Sequence, residues 1–462
     1  MRGLSQITDN AIIVMLGASG DLAKKLLYPA LFTLFRRDLL PKQIHIVGYA
    51  RSKIDHDDFI TQVSSDLKDP GDDPSFSEQL EKFKTILSYV SGSYDDGSAF
   101  DELNRYLEKI ESNYSTPEHN RVFYLALPSN VFVQIAKHLK KRVYSNRGAN
   151  RLVLEKPLGS DLESAQELVK GVSQFWPEEQ TFRIDHYLGK EIVKNILALR
   201  FANSFTSGFW DNNHISNVQI TLNESFGTEG RGGYFDSAGI IRDVIQNHLC
   251  QMLSILTMER PTSLTPKETI NEKLGVKLLR AIRPVQREDV LLGQYEGYLD
   301  DSGGVPFILK AGKALDENRV EIRVQFKDNP EGLYDDDEQL CRSELIMRLK
   351  PGEAILIKLN IKSPGFDTGV IPAELKLDYK EAFPDVFIPE AYEVLLRDVL
   401  RGDHSTFVRD DELIAAWKIF TPILHWAEGK DGNKKPSPIK YAFGSRGPEG
   451  LDKFLAKFGS KD

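Results

Sequence analysis

The chain has 462 residues, with 59 Lys and Arg against 68 Asp and Glu and a formal net charge of −9. This length predicts two or three domains, or two large ones. A hydrophobic share of 41% with 27% charged residues describes a globular protein with ample core, and no stretch reaches the ~20 apolar residues of a membrane helix. The acidic balance gives no general reason to bind nucleic acid or an anionic membrane, both of which depend on clustered positive charge, so neither partner is expected. Two cysteines, Cys250 and Cys341, are too few and too far apart for a disulfide framework or a thiolate zinc site. No metal is expected, and a reducing compartment fits. The first ten residues lack the apolar core of a signal peptide, and the last four match no retention or peroxisomal signal; a cytoplasmic location is the expectation.

AIIVMLG (11–17) is a short apolar run, rich in β-branched residues and ended by a glycine, which predicts a buried strand. Leu22, Leu26, Leu27, Ala30, Leu31 and Leu34 then recur at three- and four-residue intervals, the pattern of a helix. IHIVGYA (44–50), VFYLALP (122–128) and RLVLEKP (151–157) read as further strands, the last two closed by prolines. DPGDDPSFS (69–77) reads as an acidic loop, and SDLE (160–163) has capping-box spacing that places a helix start at Ser160. Strands separated by helical stretches predict βαβ units and a doubly wound parallel sheet of the Rossmann type. Past about residue 180 the alternating segments lengthen, as in NVQITLNESFG (217–227), VEIRVQF (320–326) and AILIKLNI (354–361). That alternation predicts a large, mainly antiparallel sheet in an α+β domain. YDDDE (334–338) reads as a solvated acidic loop. The expected organisation is a dinucleotide-binding domain over 1–182 and an α+β substrate-binding domain over 183–462.

Five places carry chemistry. GASGDL (17–22) joins the first strand to the first helix, where glycines let backbone N–H groups approach a pyrophosphate at the positive end of the helix. A plain tight turn would show the same residues. The next strand ends Gly48-Tyr49-Ala50-Arg51-Ser52, where an NAD-preferring fold carries an acidic residue for the ribose 2′-hydroxyl. Arg51, if not merely a surface arginine, suits a 2′-phosphate, and with the glycine turn it favours NADP over NAD. EKP (155–157) ends another strand; Lys156 at the carboxyl edge of a parallel sheet points into the ligand crevice, unless it is an edge lysine reaching for water. Pro157 restricts Lys156 to extended backbone and could adopt a cis bond. In RIDHYLGK (183–190), Asp185 reads as a helix N-cap. His186 and Lys190, four apart, would share one helical face beside Tyr187, an arrangement that suits a phosphate. Finally, a helix over 240–260 carries Asp243 and places Val244, His248, Met252 and Ile255 on one apolar stripe. His248 reads there either as a satisfied core residue or as a base for a hydroxyl proton.

GASGDLAKK (17–25), EKPLG (155–159), RIDHYLGKE (183–191), FGTEGRGGYFDSAGIIRDVIQNHL (226–249), GVPFILKAGKAL (304–315) and FGSRGP (443–448) follow in this order. With them the chain resembles the glucose-6-phosphate dehydrogenases, the fungal cytosolic members above all, from about residue 11 to about 455. The resemblance implies oxidation of the C1 hydroxyl of D-glucose 6-phosphate to 6-phospho-D-glucono-1,5-lactone with hydride transfer to NADP, the first step of the oxidative pentose phosphate pathway. It assigns His248 as general base and Asp185 as the carboxylate that orients it. It gives the 6-phosphate to His186, Tyr187 and Lys190, and the sugar hydroxyls to Lys156, Glu224, Asp243 and Lys313. Gly17, Ser19, Gly20, Asp21, Leu22, Arg51 and Lys156 would hold the coenzyme. Lys310, Arg319, Arg323, Arg348, Lys358 and Arg446 match basic positions of a second, structural NADP site found in many eukaryotic members. A homodimer or homotetramer through the second domain's sheet is implied too.

The chain departs from the family pattern at Phe132, where a tyrosine is usual, at Lys376, usually acidic, and at Lys350, usually glutamine. At GYLDDSGG (297–304) family members carry a couple of dozen further residues, among them an apolar β-rich run. Two other readings share part of the pattern. A sugar dehydrogenase of the glucose–fructose oxidoreductase type also carries EKP but has no need of RIDHYLGK. A catalytically silent NADP sensor would be expected to have lost His248 or Asp185, and both are present.

Overall fold

The computed structural model describes residues 6–460 except 70, 72, 228–234, 236–237, 261–275, 293–306, 329–339, 367–368 and 437. The chain divides into two compact units, one taking Met1–Lys190 and Pro389–Ala415, the other Glu191–Arg260, Lys277–Ile388 and Ala416–Asp462. The single cut expected between 182 and 183 is therefore replaced by a division after Lys190, with a later stretch returning to the first unit. The cause is packing: the helix Ala391–Arg401 sends Leu395, Leu396, Val399 and Leu400 into the first unit's core. Just beyond it, the strand Phe407–Val408 pairs antiparallel with residues 183 and 184.

The first unit is built on β1 (Asn10–Leu16), β2 (Gln43–Ala50), β3 (Leu87–Ser91), β4 (Arg121–Leu125), β5 (Asn150–Leu154) and β6 (Thr181–Ile184). These six pair in parallel in the order β6-β5-β4-β1-β2-β3. That order is the Rossmann arrangement, and it reverses between β1 and β4, where a ligand crevice opens at the carboxyl ends. β1, β4 and β5 are buried along their whole length, as strands covered on both faces must be. The first helix region runs as a π-helical turn, Ala23–Leu27, continued by the α-helix Tyr28–Arg36. The capping box sits one residue later than expected. Asp161 accepts from the Ser164 N–H at 2.9 Å, and the Ser164 hydroxyl returns to the Asp161 N–H, so the helix is Leu162–Ser173. In the acidic loop, Asp73 receives Arg36 and the Ser75 N–H, and the helix Phe76–Thr85 starts there.

The second unit holds β7 (Ile215–Asn223), β8 (Phe307–Gly312), β9 (Arg319–Phe326), β10 (Glu344–Lys350), β11 (Ala354–Lys362) and β12 (Val370–Asp378). They lie in the order β12-β11-β10-β9-β7-β8, antiparallel throughout except for the parallel β7–β8 pair. This is the mainly antiparallel sheet that the alternation predicts. The acidic run at 334–338 and the family-divergent stretch at 297–304 lie outside the described residues. Among the described residues no helix is long and apolar enough to cross a membrane, and both cysteines are unbridged.

Candidate active site

Parallel topology alone collects four of the five predicted places. The glycine turn follows β1, Arg51 follows β2, Lys156 follows β5 and Asp185 follows β6, all at the carboxyl edge of one sheet. Gly17 has φ of +90°, and a Cβ there would lie 2.3 Å from the Ala126 carbonyl oxygen, so only glycine lets the chain turn so close to the end of β4. Its N–H donates to the Tyr49 carbonyl at 2.9 Å, and Gly20 N–H closes onto the Gly17 carbonyl at 2.9 Å. Gly20 and Asp21 are exposed where the helix begins, a place that favours a phosphate. The exposed Arg51 lies with its guanidinium 5.8 Å from the ring centroid of Tyr94, and among the described residues no carboxylate pairs with it. This turn and this arginine fit a dinucleotide that carries a 2′-phosphate. Phe132, one of the departures from the family pattern, is buried at the start of the helix Phe132–His138.

Lys156 and Pro157 are joined by a cis peptide bond. Beneath them Glu155 is 4% exposed. Its carboxylate accepts from the Tyr124 hydroxyl at 2.7 Å, from the Tyr392 hydroxyl, and from the Lys156 N–H at 3.2 Å. Burial pushes the Glu155 carboxyl above its ordinary pKa, and the hydrogen bonds only partly oppose it. Asp185 caps the following turn as expected, its Oδ1 accepting from the Tyr187 N–H at 3.0 Å. The turn itself differs from expectation. His186–Gly189 is a single 3-10 turn with Lys190 extended after it, so His186 and Lys190 do not share an α-helical face. Gly189 is pressed onto the helix Ala391–Arg401, where a Cβ would lie 2.6 Å from the Ala391 carbonyl oxygen. A compact turn satisfies that contact. The Lys190 ammonium lies 5.5 Å from the Tyr187 ring centroid, Tyr187 lies 4.9 Å from the His186 ring, and His186 stacks on Tyr392 at 5.9 Å with 10° between planes.

In the second unit, the predicted helix over 240–260 is a π-helix, Ile241–Leu249, followed by the α-helix Cys250–Thr257. Val244, His248, Met252 and Ile255 are all buried, with His248 3% exposed. In an α-helix, residues five apart point to different faces, whereas i→i+5 bonding brings the fifth residue back over the first. Asp243 and His248 stand in that relation, and such bulges recur at functional sites. Lys313 bonds the Glu224 carboxylate and lies 3.7 Å from Asp243, with the Phe235 ring centroid 5.2 Å from its ammonium. Backbone bonds from Glu224 N–H to Gly312 and from Leu315 N–H to Glu224 tie the two segments together at 2.9 and 3.0 Å. The second unit thus gathers Glu224, Asp243 and Lys313. A cavity of about 700 Å³ in this unit, lined by Ile241, Ile245, Ile308, Phe420, Ile423 and Leu451, includes none of those three and not His248. It is an apolar groove beside them.

The six cations that the resemblance assigns to a second coenzyme site spread over one face of the antiparallel sheet and beyond. Arg319 pairs with Glu317 and Glu321, and Arg323 with Glu321 at 3.0 Å and Glu344 at 2.7 Å. Lys358 lies 3.2 Å from Glu344, Arg348 donates at 3.4 Å to the Gly352 carbonyl, and Arg446 lies 3.7 Å from Asp452. Lys310 lines the apolar groove. Lys376, where the family pattern has an acid, pairs with Asp378 at 3.0 Å, and Lys350 is exposed at the end of β10. A dinucleotide phosphate would have to displace Glu321 and Glu344 from three of the six, so these residues do not fit a ready-made anion site. Sequence reasoning missed Tyr124 and Tyr392, which only the folded topology brings to Glu155.

The model of the glucose-6-phosphate dehydrogenase NAD-binding domain matches residues 14–195, and that of the glucose-6-phosphate dehydrogenase C-terminal domain matches 197–303 and 301–461. The second match breaks where the divergent stretch lies. Glucose-6-phosphate 1-dehydrogenase of Emericella nidulans is 48% identical over an alignment of 487 residues that covers 99% of this chain and 93% of that protein. The cytoplasmic glucose-6-phosphate 1-dehydrogenase 5 of Arabidopsis thaliana is 45% identical, covering 98% of this chain and 92% of its own length. A solved glucose-6-phosphate dehydrogenase in complex with its substrate glucose 6-phosphate superposes with a TM-score of 0.92 at 43% identity, over 99% of each chain.

Proposed function

The chain belongs to the glucose-6-phosphate dehydrogenase family, and from that premise we propose that it oxidises D-glucose 6-phosphate at C1 with NADP as acceptor. The near-full-length match to a curated glucose-6-phosphate 1-dehydrogenase carries the reading. In this reaction a ring nitrogen of His248 takes the proton of the C1 hydroxyl, the electrons of that O–H bond form the second C1–O bond, and the C1 hydrogen leaves as hydride, so that C1 and its oxygen become the lactone carbonyl. Bound NADP supplies the hydride acceptor, its nicotinamide ring. Asp185 orients the imidazole and stabilises its charged form. The turn of His186 and Tyr187, with Lys190, holds the 6-phosphate; Lys156, Glu224, Asp243 and Lys313 direct the sugar hydroxyls. Gly17, Ser19, Gly20, Asp21 and Leu22 take the pyrophosphate, and Arg51 the 2′-phosphate that separates NADP from NAD.

The reaction would open the oxidative pentose phosphate pathway in the cytoplasm, where the similar Arabidopsis enzyme belongs. A homodimer is supported by the outer strand β12, which exposes Leu375 and Leu377, and by Phe383, Val386 and Phe387 after it. A second copy would cover this apolar face. Steady-state assay of glucose 6-phosphate and of glucose, each with NADP and with NAD, tests the reading. Glucose 6-phosphate with NADP should be preferred; equal activity on glucose would favour a sugar dehydrogenase with no phosphate site. His248→Asn should lower kcat by about 10²–10⁴-fold with substrate affinity nearly intact, and an unchanged kcat would remove the base assignment.

A further inference from the structure

We propose that Tyr392 is a positioning residue for the 6-phosphate site, its hydroxyl tethered to the buried carboxylate of Glu155 and its ring backing the imidazole of His186. The inference rests on the reading of residues 186–190 as the phosphate holder. Three observations converge on it. The His186 and Tyr392 rings lie 10° from parallel with centroids 5.9 Å apart, an offset stack. The Tyr392 hydroxyl and the Tyr124 hydroxyl both donate to Glu155, a carboxylate 4% exposed, and Tyr124 is wholly buried. Gly189, one residue before Lys190, meets the backbone of Ala391 so closely that no side chain fits between them.

Together these contacts make one rigid file, from Tyr124 through Glu155 and Tyr392 to His186, Tyr187 and Lys190. An imidazole at the mouth of a crevice has rotamers to choose from. Fixing it before ligand arrives removes part of the ordering cost of binding. The tether explains why a buried carboxylate is retained beside Lys156, since a tyrosine hydroxyl on a carboxylate is held more firmly than one on a neutral acceptor. Tyr392 itself touches neither reacting atoms nor coenzyme in this scheme. It acts through His186.

The test is steady-state kinetics of the full chain for His186→Ala, Tyr392→Phe, Tyr392→Leu and the double variant His186→Ala/Tyr392→Leu, with inorganic phosphate as a competitive probe. Tyr392→Leu should raise KM for glucose 6-phosphate and Ki for phosphate by about tenfold, the scale of losing an aromatic pair. Its kcat should stay within about threefold and its KM for NADP should not move. Tyr392→Phe keeps the ring and loses the tether, so it should show the same split at smaller size; it also guards against misfolding, because an unfolded fraction lowers kcat and leaves KM alone. The double variant should be no worse than His186→Ala, because the two act as one unit. Independent, additive losses, or an unchanged KM in Tyr392→Leu alongside a raised KM in His186→Ala, would overturn the inference alone. An unchanged KM in His186→Ala would overturn the phosphate reading and the inference with it.

Discussion

Two buried glutamates, Glu155 in the first unit and Glu344 in the second, are both 4% exposed and have opposite surroundings. Glu155 stands at the carboxyl end of a parallel strand among tyrosine hydroxyls, and burial raises its pKa. Glu344 opens β10, directly opposite Gln325 on β9 and Lys358 on β11. Burial would raise its pKa as well, but the Gln325 amide at 2.6 Å, Arg323 at 2.7 Å and Lys358 at 3.2 Å reverse the sign and hold it below the ordinary carboxylate range. A cross-strand neighbour of opposite charge binds the sheet together. A buried carboxylate met by two tyrosine hydroxyls and a backbone N–H, as Glu155 is, costs stability and is kept for what it positions. The same contrast separates the arginines: Arg323 is committed to two glutamates, whereas Arg51 rests against an aromatic ring, where a ligand phosphate would meet it.

The largest expected effect falls on the ion-paired sheet. Glu344→Gln should lower unfolding free energy by about 3 kcal/mol, the lower end of what is lost when one partner of a buried pair is removed. KM and kcat should be unchanged, because no residue of this strip takes part in the proposed reaction. Urea denaturation with parallel assays measures both. A loss of activity in the still-folded variant would mean that the strip serves catalysis. Equilibrium dialysis adds a second reading of the same strip. One NADP should bind per chain, and a second equivalent abolished by Arg323→Ala would show that the strip opens to a coenzyme after all.

Acid titration separates the two glutamates by sign. Glu344 has its pKa lowered from an ordinary 4.5, so its contribution is fully present above that value and is lost as pH falls through the lower folded value. Glu155 has its pKa raised from 4.5, so the folded state holds the extra proton, and stability falls as pH rises from 4.5 through the raised value. The gap between parent and Glu344→Gln should therefore close in acid, while Glu155→Gln should gain on the parent as pH climbs. Denaturation midpoints between about pH 3.5 and 7 read both slopes, and slopes of the same sign would erase the contrast.

Arg51→Ala comes next. Losing a charge-assisted phosphate contact is worth about 1.5–3 kcal/mol, so the Kd for NADP should rise by roughly ten- to a hundredfold with little change for NAD and none in melting temperature. Equal losses for both coenzymes would mean that Arg51 does not read the 2′-phosphate.

How much of this was legible beforehand follows from which residues are local. β1, β4 and β5 are buried throughout and carry the apolar runs 11–16, 122–125 and 152–154, which makes them readable, while β3, an edge strand whose last three residues are not buried, carries too weak a pattern. The glycine turn announces itself because Gly17 needs a conformation that other residues avoid. The turn at His186–Gly189 has the spacing of a helix but not its shape, which is set by contact with Ala391 and which no local spacing reveals. The π-helical widening that relates Asp243 to His248 leaves the apolar stripe intact and is silent for the same reason. Tyr392 is legible only after folding, since it lies on a helix while its partners Glu155 and His186 follow the ends of two strands far from it in the chain.

The smallest expected effect on stability is the one that sharpens the comparison most. Glu155→Gln should leave the unfolding free energy at neutral pH unchanged or slightly raised, by about 0–1 kcal/mol, because it removes a buried charge while an amide oxygen still accepts from Tyr124 or Tyr392. The glutamine nitrogen, however, cannot accept from the Lys156 N–H, which donates at 3.2 Å to the carboxylate oxygen now lost. That mismatch should show itself as a raised KM for glucose 6-phosphate in a protein at least as stable as its parent. Stability falling together with affinity would place Glu155 beside Glu344 as a structural charge; affinity lost while stability holds marks it as one kept for position.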